Sequence, residues 1–248
     1  MKNILKIMLM MITIFTIAGS AVYAAEIPVS DQDQLITSRD WTEISNLQDE
    51  MKKEEPDATI DYDKALKVYV DCNLIKLQTA DTKKLTSALE SANYVWVIPF
   101  KMEKTYGMFT VAKGLPLSEE AKSVLTKAEQ EEVKNHAGKW MITETAEHTV
   151  EPYYDILLEK REALSDCTRV VLVGSQPGMR QPVALGMNDE TARIWISLGY
   201  QYPVMEKIPE TQNVESGVYS FDSVAEISDT YIEDSEVSTG AGVQSRSS

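Results

Sequence analysis

Hydrophobic residues recur along the chain at two spacings, of which the first is typical of amphipathic helices. Trp41, Ile44, Leu47 and Met51 lie three or four residues apart and predict a helix that ends before Pro56. Cap residues and the same spacing predict three further helices, over residues 81–89, 118–138 and 152–164. Each helix presents an apolar stripe, so each is expected to pack against another layer of the protein.

The second spacing is the alternation of apolar and polar residues that is typical of strands. It runs from Leu66 to Leu74 and predicts a half-buried strand whose polar face carries Lys67 and Tyr69. The segment Tyr94–Ile98 is apolar on both faces and predicts a central strand. Further strands are predicted over residues 108–111, 139–145, 169–173, 182–187 and 192–198. Because hairpins rather than strand–helix–strand crossovers connect them, we expect an α+β fold with a mixed, largely antiparallel sheet and packed helices.

The predicted elements occur twice in the same order: helix, strand, helix, strand, strand. The two sets span residues 38–114 and 115–199, and a shift of 75 positions superposes identical residues such as Leu89 and Leu164. One hypothesis is an internal duplication that gives two similar halves. The alternative is that shared hydrophobic patterning alone produces the match.

The first 24 residues have the pattern of a secretory signal peptide. Lys2 and Lys6 precede the apolar run Ile7–Ala18, and small residues follow, so we predict cleavage between Ala24 and Ala25. The protein would then be secreted or otherwise extracytoplasmic, without membrane attachment after cleavage. Alternatively the leader stays as an uncleaved anchor, because its apolar run approaches the ~20 residues that a membrane span needs. The short leader and the lack of an N-x-[ST] sequon favour a bacterial source.

Composition divides the rest of the chain into a domain and a tail. Residues 25–208 are predicted to form a single domain, since no linker rich in Gly, Ser or Pro divides them. Residues 209–248 contain eight acidic residues and one basic residue, with little periodic apolar content. This composition predicts an acidic, mostly disordered tail, in which only Val218–Ile227 could add a strand or dock on the domain.

Charge and motifs exclude several classes of partner and cofactor. The chain has 39 acidic and 24 basic residues, and a net charge of −15 disfavours nucleic acid and anionic membrane surfaces. No phosphate-binding glycine loop, dinucleotide fingerprint or zinc-protease helix is present. The two histidines, His136 and His148, match no zinc spacing. We therefore predict no cofactor and no metal.

The two cysteines, Cys72 and Cys167, lie at the ends of predicted core strands. In an exported chain they could form a disulfide bond. Equally, they could be two buried thiols that pack as small apolar residues. The sequence leaves both alternatives open, and since it contains no CxxC motif it gives no support to redox catalysis.

No motif identifies catalytic residues, so binding is the favoured function. Tyr200 and Tyr202, at the edge of the domain, are candidates for contact with a ligand because aromatic faces bind peptides and glycans well. We predict a non-catalytic extracytoplasmic module that binds a protein, peptide or glycan. One alternative is an extracytoplasmic carboxylate-dependent hydrolase, whose acidic pair is defined by geometry rather than by sequence. Another is a membrane-tethered sensor or adaptor, which requires an uncleaved leader.

Overall fold

A computed structural model of the protein describes residues 27–148, 151–177, 179, 181–199, 202–209 and 213–228. The predicted cleavage site at Ala24 and Ala25 and the candidate binding residue Tyr200 lie outside these residues. Among the described helices, none combines the length and the apolar content that a membrane crossing requires.

Helices and strands alternate along the described chain. The elements up to residue 148 are α1 (Trp41–Ile44), α2 (Gln48–Glu54), β1 (Thr59–Ile60), β2 (Leu66–Val70), α3 (Thr82–Ser91), β3 (Asn93–Lys101), β4 (Tyr106–Lys113), α4 (Glu119–Val124), α5 (Lys127–His136) and β5 (Trp140–His148). They are followed by α6 (Tyr153–Glu159), β6 (Arg169–Val173), β7 (Val183–Met187), β8 (Ala192–Ser197), α7 (Pro203–Glu206), β9 (Asn213–Glu215), β10 (Val218–Ser220) and α8 (residues 221–228).

The ten described strands form one sheet in the order β5-β4-β3-β2-β6-β7-β8-β10-β9, and β1 pairs with the end of β3. Strands β2 and β6 are parallel, whereas the other paired strands are antiparallel. This arrangement confirms the predicted α+β class with a mixed, largely antiparallel sheet. It also places β3, the predicted central strand, between β2 and β4.

Each face of the sheet is covered by a separate apolar core. Lys67 lies opposite Trp96 and Tyr69 lies opposite Tyr94, and we call the side that carries these four residues the Trp96 face. The other side, which carries Val97, is the Val97 face. Helices α1, α2, α3, α7 and α8 contribute buried side chains to the Trp96 face, and α6 contributes them to the Val97 face.

The helix predicted over residues 118–138 is divided into α4 and α5. Thr126 begins α5 with a capping box: its side chain accepts a hydrogen bond from the Glu129 N–H, and the Glu129 carboxylate accepts one from the Thr126 N–H. Gly138, in the left-handed region at φ +74°, follows the end of α5 as expected. The predicted burial of the apolar stripe is wrong, since α4 and α5 contain no buried residue.

The folded part of the chain extends past the boundary predicted at residue 208. Strands β9 and β10 add to the sheet, and Val218, Phe221 and Val224 are buried in the core. The Phe221 ring stacks on Trp195 with ring centroids 5.6 Å apart. Docking of the apolar stretch from Val218 to Ile227 explains this extension; residues 229–248 lie outside the described part of the chain.

The two halves proposed from the repeated element order differ in strand pairing. Strand β2 lies beside β3, but its counterpart β5 lies beside β4 at the edge of the sheet. The internal duplication therefore remains a hypothesis from the sequence. In the sheet, β2 lies in the interior of the strand order, whereas β5 lies at the edge.

Candidate functional site

A cluster of polar and aromatic side chains is buried on the Trp96 face, where β2 and β3 pair. The alternation of β2 was expected to leave Lys67 and Tyr69 on an outer face. Instead their exposed fractions are 9% and 6%, because the segment that contains Asp33 and Asp40 covers this part of the sheet. Both faces of β2 are therefore buried, and a lysine occupies the core.

Asp33 is the acceptor that compensates buried positive charge in this cluster. Its carboxylate accepts hydrogen bonds from Ser30 Oγ at 2.6 Å, Tyr69 Oη at 2.7 Å and Arg169 Nη2 at 3.0 Å. The Lys67 Nζ lies 3.5 Å from Asp33 Oδ1. Burial alone would raise the pKa of Asp33, but the hydrogen bonds from Ser30 and Tyr69 and the two nearby cations lower it below its usual value.

The second buried carboxylate, Asp40, joins the aromatic residues of β3. Its Oδ2 accepts hydrogen bonds from Tyr94 Oη at 2.8 Å and from the Trp96 indole N–H at 3.1 Å. The exposed guanidinium of Arg39 lies 3.8 Å from the same carboxylate. These contacts hold the rings of Tyr94 and Trp96 in a fixed position relative to the segment that contains Asp33 and Asp40.

The ammonium group of Lys67 lies among three aromatic rings. Its Nζ is 4.6 Å from the centroid of Tyr94, 5.2 Å from that of Trp96 and 5.7 Å from that of Tyr69. Such contacts stabilise the cation. Burial lowers the pKa of Lys67, and the charges of Asp33 and Asp40 offset part of this effect.

Two neighbouring cavities open beside this cluster. One has a volume of about 410 Å³ and is lined by Lys67, Tyr69 and Tyr94; the other has about 510 Å³ and is lined by Tyr94, Lys113 and Trp140. Both cavities are also lined by Arg39, Asp40 and Ala92. We call these two cavities together the Tyr94 trough, and each falls within the ~300–1,000 Å³ typical of ligand sites.

Trp140, at the start of β5, forms one side of the larger cavity. Its ring centroid is 5.9 Å from that of Tyr94, and Lys113 Nζ is 5.5 Å from its centroid. The side chain is 7% exposed, and its buried indole N–H has no hydrogen-bond partner among the described residues. A buried donor without a partner is costly, and because this nitrogen is inaccessible to solvent, a ligand in the cavity does not reach it without a local rearrangement.

Of the two alternatives for the cysteines, the disulfide bond is not formed. Cys72 and Cys167 are both free and buried, and they belong to the cores of opposite sheet faces. Burial raises the pKa of each thiol to about 11. The alternative of two buried thiols acting as small apolar residues is therefore the one that the structure supports.

Of the two binding residues predicted from the sequence, Tyr202 is described by the structure, and it does not line the trough. Tyr202 is 3% exposed in the core of the Trp96 face, and its hydroxyl donates a hydrogen bond to the Pro182 carbonyl at 2.6 Å. It therefore supplies no open aromatic surface. Sequence reasoning missed Lys67, Asp33 and Asp40, and the available signal was a single lysine on a strand whose neighbours are all apolar or aromatic.

A general acid requires a raised carboxyl pKa, so Asp33, whose pKa is lowered, does not suit that role. Within the described ranges, no group of three or more His, Cys, Asp or Glu side chains could hold a metal ion. The site is thus a preformed polar and aromatic cavity on an α+β scaffold. Searches against protein-family models, curated proteins and solved structures find no match for this chain.

Proposed function

We propose that this protein is a non-catalytic binding module that acts outside the cytoplasm and holds a peptide or glycan segment in the Tyr94 trough. The observation that carries the proposal is the position of Lys67, a buried lysine that lines a cavity and whose ammonium group lies among three aromatic rings. Export is supported by the leader pattern of residues 1–24.

The lining of the trough supports a ligand that carries both hydrogen-bonding groups and apolar faces. Arg39 and Lys113 supply donors, and Asp40 supplies an acceptor. The Tyr94 ring, which lines both cavities, supplies a flat apolar surface. Peptides and glycans combine these properties, whereas a purely apolar ligand would displace water from the charged groups without replacing its hydrogen bonds.

The network beneath the trough supports binding without large rearrangement. Asp33 and Asp40 connect the covering segment to β2, β3 and β6 through the hydrogen bonds described above. A site that is held in place before the ligand arrives loses less conformational entropy on binding. The hydrolase alternative also requires a carboxyl group with a raised pKa as general acid, and Asp33 does not supply it, because these contacts lower its pKa.

The trough can be tested by filling it. Ala92 lines both cavities, so the substitution Ala92→Phe would occupy space in each. Lys83→Phe is the matched control, since Lys83 is exposed on α3 and lines neither cavity. Isothermal titration calorimetry would use two probes, a trimer of N-acetylglucosamine and trialanine.

We expect one of these probes to bind the wild-type protein and the Lys83→Phe variant, and to bind the Ala92→Phe variant at least about tenfold more weakly. A preference between the two probes would identify the ligand as glycan or peptide. The proposal fails if neither probe binds the wild-type protein, or if both variants bind equally well.

A further inference from the structure

A second surface, formed by α4 and α5, has apolar side chains that the protein itself does not bury. Ser118 caps α4 by accepting a hydrogen bond from the Ala121 N–H, and the Thr126 capping box begins α5. Both helices are thus fixed by their own caps. Neither contributes a buried residue, and Leu115 and Val124 are 58% and 80% exposed.

The helix pair is attached to the sheet at both of its ends. The Gly114 N–H donates a hydrogen bond to the Lys139 carbonyl at 2.9 Å, and the Gly138 N–H donates one to the Gly114 carbonyl at 2.8 Å. A side chain at position 114 would meet the His136 carbonyl oxygen, so the close approach requires glycine there. The pair is therefore held beside β5, the edge strand, in a defined position.

A groove of about 610 Å³ lies between these helices and β5. We call it the Leu125 groove; its apolar lining consists of Leu115, Leu117, Ala121, Leu125, Val133 and Met141. A groove with a mostly apolar lining that is open to solvent can receive the apolar face of a partner. Its helical walls suit a second helix that lays an apolar face between them.

The charges around the groove indicate which partner fits. Residues 118–136 contain five acidic residues and three lysines. Two of the lysines are already paired, Lys122 with Glu119 and Lys134 with Glu131. Glu129 and Glu132 line the groove itself, and hydrogen bonds from Thr126 lower the pKa of Glu129 and keep it ionised. His136 is the only histidine along this lining.

We infer that the Leu125 groove binds an amphipathic helical segment of another protein, with apolar residues on the face that enters the groove and Lys or Arg beside them. Charge disfavours three competitors. A second copy of this chain that docked through the same groove would bring its own Glu129 and Glu132 close to the first pair. An anionic membrane would be repelled in the same way, and so would residues 229–248, which contain four acidic residues and one basic residue.

This inference does not depend on the Tyr94 trough, and fluorescence anisotropy tests it separately. The probe is a labelled peptide of about 14 residues, or four helical turns, made of Leu and Lys with leucines at helical spacing. A second peptide replaces every Lys by Glu. The variant Leu125→Asp changes a residue that lines the groove, and Val124→Asp is the matched control, because Val124 is adjacent, exposed and outside the lining.

Both variants add one negative charge at a position that is not buried, and circular dichroism would verify that each is folded. We expect saturable binding of the Leu–Lys peptide to the wild type, Val124→Asp and Ala92→Phe proteins, and at least about tenfold weaker binding to Leu125→Asp. The Leu–Glu peptide should not bind.

Four results would overturn the inference: no binding of the Leu–Lys peptide, equal binding to both Asp variants, equal binding of the two peptides, or a wild-type dimer in sedimentation analysis that Leu125→Asp dissociates. The last result would assign the groove to a second copy of the chain. Loss of peptide binding in Ala92→Phe would show instead that the peptide occupies the trough.

Discussion

Lys67 and Asp33 form an ion pair inside the protein: Lys67 Nζ lies 3.5 Å from Asp33 Oδ1, and the two side chains are 10% and 2% exposed. The pair is not symmetric. Asp33 also accepts hydrogen bonds from Ser30, Tyr69 and Arg169, whereas Lys67 is otherwise surrounded by aromatic rings. Removing Asp33 and removing Lys67 should therefore change the free energy of unfolding by different amounts.

Asp33→Ala should destabilise the protein more than Lys67→Met does. Loss of Asp33 leaves the buried cation Lys67 and the partly buried cation Arg169 without this partner, and the Tyr69 hydroxyl without its acceptor. Breaking a buried pair in this way costs about 3–5 kcal/mol. Loss of Lys67 leaves Asp33 with three donors, so its cost should be clearly smaller. Urea unfolding of both variants gives the two free energies.

The exposed residue Asp57 provides the control for this comparison, and Asp57→Ala should change the free energy of unfolding by less than about 0.5 kcal/mol. Equal destabilisation by Asp33→Ala and Lys67→Met would mean that the three other hydrogen bonds to Asp33 do not compensate its charge.

The stabilisation by Asp33 should disappear in acid. Its folded-state pKa lies below the ordinary value of 3.8, so the ionised carboxylate stabilises the fold fully above about pH 5, and this contribution is lost as the pH falls through the folded-state pKa. The difference in unfolding free energy between wild type and Asp33→Asn should therefore be large at pH 6 and shrink by pH 3. Urea titrations at both pH values measure it, with Asp57→Asn as the control; a difference that grows in acid would contradict the assignment.

The strands were predictable because their pattern is local. The two-sided apolar run of β3 indicated a central strand, and Trp96 is indeed fully buried there. The division of α4 from α5 was also visible in principle, since Thr126 and Glu129 have the spacing of a capping box. This capping signal starts a new helix at Thr126. The apolar stripe would favour one continuous helix, but it has no other layer of the protein to pack against.

The Tyr94 trough could not be predicted because it depends on contacts between distant parts of the chain. Alternation assigned Lys67 to an outer face, as is usual for a lysine. Its burial requires Asp33, from a segment well before β2, and Asp33 in turn contacts Arg169 from β6, 136 positions later. No local pattern links these residues, so only the sheet order brings them together. Tyr202 is the opposite case. The sequence placed it at the edge of the domain, but it is buried in a core that also contains Val204 and Met205 of α7.

Both cysteines should react as thiols only after unfolding. They are buried on opposite faces of the sheet, and burial raises each pKa to about 11, so little reactive thiolate is present at neutral pH. Iodoacetamide should label neither residue in the folded protein and both in denaturant, without prior reduction. Mass spectrometry reads the number of labels, and a reducing agent should leave the melting temperature unchanged. If denatured protein required reduction before labelling, Cys72 and Cys167 would be paired after all.

Cleavage of the leader is the prediction on which the extracytoplasmic part of the proposed function depends. A small residue is needed before the cut, so the wild-type protein should be recovered outside the cell with Ala25 as its first residue. Ala24→Leu should block processing and leave the protein attached to the membrane through its apolar run, whereas Ala25→Leu, after the cut, should be processed normally. Intact-mass measurement of the secreted and cell-associated fractions distinguishes these forms. Recovery of wild-type protein that still begins at Met1 in the membrane fraction would favour the tethered sensor or adaptor, with the Tyr94 trough presented at the cell surface.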